Sequence, residues 1–170
     1  MTSKLVIKMR LMFVFLALFS MIDSFSQENS NLNHLLDSLK LDYDLTPNQV
    51  IKKGQMANEI IWAGKIDSID IKKADNRIEL FFYCNHRYFN NVSNDMILSR
   101  KVLLKNSGDG DFVLSIVSNN MTMEAAEKVA FIYARRSTNY ILTIGKPFDT
   151  KIKYGKKYVA IVTYYFYTFN

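Results

Sequence analysis

Cysteine, histidine, proline and tryptophan are scarce in this sequence, and two of these shortages exclude whole classes of protein. The single cysteine, Cys84, has no partner within the chain for a disulfide, so packing alone must hold the fold together. The two histidines, His34 and His86, together with that cysteine are too few and too scattered for the ligand set of a structural zinc site. We therefore predict no metal site and no cofactor.

Catalytic patterns are also missing. A serine–histidine–acid triad could use only one of the two histidines, and neither is accompanied by a Gly-x-Ser-x-Gly turn. Cys84 lies in an apolar stretch, which is typical of an inert buried residue rather than a nucleophile. The segment "NSGDGD" at 106–111 lacks the spacing and the closing glutamate of a calcium loop, and indicates a turn. The sequence predicts a protein that is not an enzyme; a hydrolase around His86 and Arg87 is the least favoured alternative.

The first 26 residues have the layout of a secretory leader. Basic residues at Lys4, Lys8 and Arg10 precede the apolar run Leu11–Ile22, and small residues follow as far as Ser26. The run is shorter than the roughly 20 apolar residues that span a membrane. We expect export to the periplasm or the outside, with residues 1–26 removed and no transmembrane segment left. Removal takes three basic residues and one acidic residue from a net charge of +6, which leaves +4.

The rest of the chain divides into a lead-in and one domain. Residues 27–45 are polar, with leucines at helical spacing, so this lead-in is predicted to be partly helical. The domain, residues 46–170, begins with a cap and a proline at Thr46 and Pro47, which predict a helix to about Lys53 that Gly54 ends. Its apolar content is sufficient for a core of its own.

Strands dominate the domain. The patterns predict strands near Glu59–Ile71, Ile78–Cys84, Ser99–Lys105, Phe112–Ile116, Asn139–Gly145 and Lys157–Phe169, with one helix after Thr122. In the first strand Ile60, Trp62 and Ile66 share one face with Gly64, whereas Ile69 and Ile71 have the opposite parity. A glycine and a bulge near Asp67 let one strand bend and switch its inward face. We therefore predict a mainly β fold: a five- to six-stranded OB-like Greek-key barrel with one helix between strands three and four.

Two segments resemble a known family. "GQMANEIIWAGKIDSI", Gly54 to Ile69, resembles the start of the starvation-inducible outer-membrane lipoprotein family of bacteria, in which a glycine precedes a similar strand. "YILTIGKPFDTKI", Tyr140 to Ile152, is similar to a later strand of that family that ends in glycine. The resemblance spans roughly Pro47 to Thr168 and implies an envelope protein with an OB-like barrel and no established enzymatic activity. The family's lipid-bearing cysteine is absent, so outer-membrane anchoring is not implied.

Positive charge is concentrated in two predicted loops. Residues 72–77, "KKADNR", carry a net +2 and residues 146–157, "KPFDTKIKYGKK", a net +4, so the remainder of the exported chain is net −2. In an OB barrel the loops between strands one and two and between strands four and five flank the usual binding face. Aromatic residues on strand two and in the second loop lie beside them. The predicted ligand-binding residues are Lys72, Lys73, Phe81, Tyr83, Lys146, Lys151, Lys153, Tyr154, Lys156 and Lys157.

Lysines that attract anions and aromatic faces that stack suit polyanions, single strands or sugars. Predicted export and the missing aromatic–glycine signature of RNA-binding sheets disfavour nucleic acid. The sequence therefore predicts an exported, non-catalytic envelope binding module for an anionic glycan or another envelope protein. Two alternatives stay open: lysines that merely solubilise loops and guard strand edges, and a structural or protein-interaction subunit that pairs through the apolar final strand.

Overall fold

The computed structural model describes residues 31–54, 56–75, 77–135 and 139–169, so the predicted leader lies outside the described residues. The chain divides into two units, one up to Leu39 and one from Lys40 onward. Residues 31–38 of the first unit form helix α1. The elements of the second unit are, in chain order, α2 (Pro47–Lys53), β1 (Ile60–Ala74), β2 (Arg77–Arg87), β3 (Phe89–Asn91), α3 (Asn94–Leu98), β4 (Leu103–Leu104), β5 (Asp111–Ser118), α4 (Met123–Arg135), β6 (Tyr140–Lys153) and β7 (Lys156–Phe169).

Five long strands pair in a closed ring, in the order β1-β2-β5-β7-β6. The ladders are antiparallel except that between β5 and β7, which is parallel and runs only from Phe112–Val159 to Leu114–Ile161. The prediction of a mainly β fold is confirmed. The ring closes because the two halves of β1 have different partners. The first half pairs with β6, which also pairs with β7, and the second half pairs mainly with β2.

The bend in β1 occurs where the sequence predicted it. Its register with β2 shifts between Ile66 and Ser68, so one extra residue, Asp67, reverses the parity of the strand. The apolar side chains on both sides of the bulge consequently pack on the same core. Gly64 has a second role, because a Cβ there would lie 2.7 Å from Phe112 Cε1 and 2.8 Å from the carbonyl oxygen of Asn85. The ring of Phe112 occupies the space that a side chain would need.

Helices α2 and α4 both pack on this core. Helix α2 begins and ends as predicted: Thr46 accepts from the amide of Gln49, and Gly54 ends the helix in the left-handed region at φ 64°. Leu45, just before it, accepts a hydrogen bond of 2.5 Å from Nε1 of the fully buried Trp62. In α4, Ala126 is buried, and Val129 and Tyr133 pack beside it on the core.

The segment between β2 and β5 differs from the prediction. Residues 86–98 were expected to form a loop, but they contain β3 and the short helix α3. The strand predicted at Ser99–Lys105 is reduced to β4, which pairs with β3 in a separate two-stranded sheet. Arg100 places its guanidinium over the ring of Tyr167, 5.3 Å from the centroid, so this excursion lies against β7. Burial against neighbouring segments, rather than local pattern, decides its structure.

The segment predicted as a lysine-rich loop, residues 146–157, is not a loop. Strands β6 and β7 continue through it and pair as far as Lys153–Lys156. Tyr154 and Gly155 alone form the turn, with φ of 51° and 75°, the combination of a tight type I′ hairpin. Because β1 pairs with β6 only up to Gly145 and β5 pairs with β7 only from Val159, the tip of this hairpin extends beyond the ring.

Candidate binding face

The basic hairpin, residues 151–157, folds over the outer surface of β1, β2 and β5. Three lysines hold it there. Lys151 places its Nζ 4.2 Å from the centroid of the Phe81 ring, and Lys153 places its Nζ 4.0 Å from that of Tyr83. Lys156 forms an ion pair of 2.9 Å with Asp111. The structure thus brings together five of the ten predicted binding residues, although they are separated by up to 75 positions in the chain.

Lys153 is the most enclosed of these lysines. Its Nζ donates to Asp70 Oδ1 at 2.7 Å and to Ser68 Oγ at 3.0 Å, and its side chain is only 12% exposed. Both partners lie on β1 beyond the bulge, opposite Phe81 and Tyr83 in register. Without the reversal of parity at Asp67, Asp70 would point into the core and could not meet this ammonium. The bulge that bends the strand therefore also places the carboxylate.

An aromatic patch, formed by Phe81, Tyr83 and Tyr158, lies beneath the hairpin. The rings of Tyr83 and Tyr158 meet edge to face with centroids 5.0 Å apart. Their side chains are 8% and 3% exposed, and burial raises the pKa of both phenols. Phe81 is half-buried. The prediction that Phe81 and Tyr83 point outward from β2 is consistent with the structure, but the lysines cover their faces.

Other predicted residues lie apart from this cluster. Lys72 is exposed on β1, two positions beyond Asp70 and on the same face, so it borders the hairpin. Lys73 has the opposite parity and lines a cavity of about 350 Å³ beside Arg77 and the start of α4. Lys157 pairs opposite Ile152 on the other face of the hairpin, and Lys146 pairs opposite Val162 near its base. The second predicted basic loop is therefore a paired hairpin, and it contacts β1 at Ser68 and Asp70, before the turn between β1 and β2.

Tyr154 stands at the tip of the hairpin, 97% exposed, with its ring centroid 5.4 Å from Lys153 Nζ. Phe148, one of the aromatic residues of the predicted second loop but not one of the ten predicted binding residues, is 52% exposed at a register shift between Pro147 and Asp149. These two rings are open to solvent, unlike the aromatic patch. Within the described residues, no carboxylate lies within ion-pair distance of Lys151, Lys157 or Lys72.

Sequence reasoning missed Ser68, Asp70, Asp111 and Tyr158. Tyr158 could have been found, because Val159 and Ile161 face the core and the alternation then places Tyr158 outside. Asp70 lies 83 positions from Lys153, so no local pattern indicates their contact. Asp111 accepts from Asn85 Nδ2 at 2.6 Å as well as from Lys156, which fixes its carboxylate between two strands.

The residues of the least favoured alternative, a hydrolase, have structural partners. His86 is 5% exposed, and its Nδ1 accepts the amide hydrogen of Asp109 at 3.2 Å; burial lowers its pKa to about 4. Arg87 donates to the carbonyl of Asn106. Cys84 is fully buried and burial raises its pKa, as expected of an inert core thiol. Among the described residues no three His, Cys, Asp or Glu side chains are grouped to hold a metal ion.

The final strand, proposed above as a pairing edge, lies inside the ring. β7 pairs with β6 from Lys156 to Phe169, and with β5 around Ala160. Its side chains beyond Ile161 differ widely in exposure: Tyr167 is buried, whereas Val162 and Tyr164 are 49% and 43% exposed. In the described part of the chain, no helix is both long enough and apolar enough to cross a membrane.

No family model and no curated protein matches this chain. Among solved structures, the chain is similar to the small single-stranded DNA-binding protein from Streptomyces coelicolor. The identity is 10%, the match covers 64% of this chain and 90% of that one, and the TM-score is 0.33. So slight a likeness does not identify the ligand of this chain.

The same match nevertheless bears on the predicted partners. The sequence disfavoured nucleic acid and favoured an anionic glycan or an envelope protein, whereas the matching structure is a DNA-binding protein. That prediction is wrong on this finding, and neither the glycan nor the envelope protein is retained. The family resemblance, the export and the absence of enzymatic activity stay predictions.

Proposed function

We propose that this chain is an exported, non-catalytic OB-fold module that binds single-stranded nucleic acid along the basic hairpin. The order of the strands in the ring supports the OB fold. Counted in chain order, β1, β2, β5, β6 and β7 are strands one to five, and around the ring they lie in the order one, two, three, five, four. A short parallel ladder joins strand three to strand five. In OB folds the outer surface of strands two and three, with the loops beside it, binds oligonucleotides and oligosaccharides. The basic hairpin covers that surface here.

The choice of ligand rests on one observation: cationic and aromatic side chains alternate at contact distance on this face. Lys151 lies over Phe81, and the exposed Tyr154 lies beside Lys153. Single-stranded nucleic acid needs both groups, because ammonium groups hold its phosphates while rings stack with its bases. A polyanion without bases would use the lysines alone. Phosphates would contact Lys151, Lys157 and Lys72, which have no carboxylate partner among the described residues, and bases would stack on Tyr154 and Phe148.

The test is a titration of the exported chain with a fluorescent dT20 oligonucleotide at two salt concentrations, with double-stranded DNA and inorganic polyphosphate as the other arms. We expect dT20 to bind more tightly than either, and the affinity to fall as salt rises, because bound phosphates release counterions. Lys151→Ala should weaken binding several-fold and reduce the salt slope by about one or less. Tyr154→Ala should weaken binding by roughly tenfold, as expected for the loss of one stacked base.

The matched control is Lys128→Ala, which removes the same charge from an exposed position on α4. It should leave affinity unchanged. If dT20 does not bind at low salt, or if Lys151→Ala behaves like Lys128→Ala, the proposed function is wrong. Equal affinity for polyphosphate and dT20, with no effect of Tyr154→Ala, would instead show a site that recognises charge alone and would refute the assignment to nucleic acid.

A further inference from the structure

We propose that the aromatic patch is a second base-stacking site, concealed under the basic hairpin and uncovered when phosphates attract Lys151 and Lys153 away from it. This inference rests on the proposed function. It explains why Phe81, Tyr83 and Tyr158 are gathered on the outside of the ring, where an apolar cluster is otherwise costly to expose. The cluster is separate from the barrel core and contains Val113 and Ala160 besides the aromatic residues.

The hairpin is attached to the ring only at its base. Strand β6 leaves β1 after Gly145, and β7 joins β5 at Val159. Residues 151–158 therefore pair only with one another, whereas residues 146–150 pair with residues 159–162 of β7. Between Pro147 and Asp149 the hairpin ladder is itself interrupted by a register shift. An interruption of this kind bends a strand locally, and on β6 it lies between Gly145 and the lysine-rich tip, whereas the facing residues of β7, Ala160 and Ile161, stay paired with β5. The basic hairpin can therefore move as one unit about its junction with the ring, where Thr150 pairs with Val159.

Side chains, rather than backbone hydrogen bonds, keep the tip closed. The closing contacts are the Lys153–Asp70 ion pair at 2.7 Å, the Lys156–Asp111 ion pair at 2.9 Å and the lysine–ring contacts. Each is a contact that a phosphate can replace, because an ammonium can donate to a phosphate oxygen in place of a carboxylate oxygen. A bound strand would thus take the lysines from Asp70 and from the rings, and its bases would cover the rings that the lysines leave.

The inference predicts that Asp70 opposes binding although it lies on the binding face. Asp70→Asn keeps the shape of the side chain but removes the charge that holds Lys153. We expect this variant to bind dT20 about three- to tenfold more tightly than the unmodified chain, and its hairpin amides, residues 151–157, to exchange hydrogen several-fold faster without ligand. Asp149→Asn is the matched control: it removes an exposed carboxylate from β6, just before the basic hairpin, and among the described residues this carboxylate accepts only from the amide of Thr150. Its exchange should be unchanged, and its affinity should rise by no more than about twofold.

Crosslinking identifies the stacking residues directly. With dT20 in which 5-iodouracil replaces thymine, irradiation should link the strand to Tyr83 or Tyr158 as well as to Tyr154, and the yield at the first two should rise in Asp70→Asn. If dT20 binds but crosslinks only to Tyr154, and Asp70→Asn binds no more tightly than Asp149→Asn, the concealed site is refuted while the proposed function stands. If no variant binds dT20, the proposed function fails and the concealed site fails with it.

Discussion

Gly64→Ala tests the physical reason for the glycine in the bent strand. The added Cβ would lie 2.7 Å from Cε1 and 2.8 Å from Cζ of Phe112, and 2.8 Å from the carbonyl oxygen of Asn85. These distances are about 1 Å below normal contact, and the carbonyl belongs to the ladder of β2, so it cannot rotate away. Overpacking of this kind costs about 1–3 kcal/mol. We expect the upper half of that range, about 2–3 kcal/mol, and a fall in Tm of roughly 6–12 °C.

The assay is urea unfolding followed by the fluorescence of Trp62, the only tryptophan and a residue buried two positions from the mutation. The midpoint should fall while the m-value stays constant. Phe112→Leu shortens the clashing ring, so the two substitutions together should cost about 1 kcal/mol less than the sum of the two separately. An unchanged midpoint, or strict additivity with Phe112→Leu, would refute the argument that Gly64 makes room for the ring.

Gly155→Ala provides a contrast, because a Cβ there meets open space. Its φ of 75° is in the left-handed region, so a cost of about 1–2 kcal/mol should arise from backbone strain alone. Phe112→Leu should not alter that cost. The two glycines thus separate crowding from conformation within one protein.

Three further predictions concern pH and processing. The pKa of His86 is lowered from 6.5 to about 4 in the folded chain, so between these pH values the unfolded chain binds more protons and stability falls as pH drops from 6.5 towards 4. In His86→Gln, this loss of stability, measured by urea unfolding, should be smaller by up to about 3 kcal/mol. The pKa of Asp109 is lowered, first by the hydrogen bond from Thr46 and then by that from Asn48, so its contribution is present above the pKa of the unfolded chain and is lost as pH falls through the folded value. Asp109→Asn should therefore cost about 1 kcal/mol at pH 7 and progressively less below pH 4, and an equal cost at both would contradict the assignment. If the leader is removed as predicted, the exported chain should begin at Gln27 by N-terminal sequencing, and an intact residue 1 would overturn export with cleavage.

How much of the structure the sequence predicts can be judged from β1 and from the basic hairpin. The bulge at Asp67 and the small residue at position 64 were predictable, because a reversal of apolar parity inside one strand has few structural solutions. The hairpin was predicted as a loop, because its lysines and Asp149 hide the alternation that the paired strands retain. Lysine stems can cover apolar neighbours while their charged ends reach a partner, so a charged segment can still be a strand.

The sequence by itself determined the elements whose causes are local. The cap at Thr46, the stop at Gly54, the bend near Gly64 and the alternation along β2 all depend on residues within a few positions of one another. These interactions form in any chain with that pattern, so they can be read before the fold is known.

Only the tertiary structure decided which charges and rings meet. Lys153 finds Asp70 and Tyr83 because the closed ring sets the hairpin against β1 and β2, across 83 and 70 positions of chain. The same packing covers Phe81 and Tyr83, the two rings of β2 that the sequence predicted to bind ligand, and leaves Tyr154 exposed. Contacts between distant segments depend on how strands close and tilt, and that geometry is set by the packing of the whole core rather than by any short stretch of sequence.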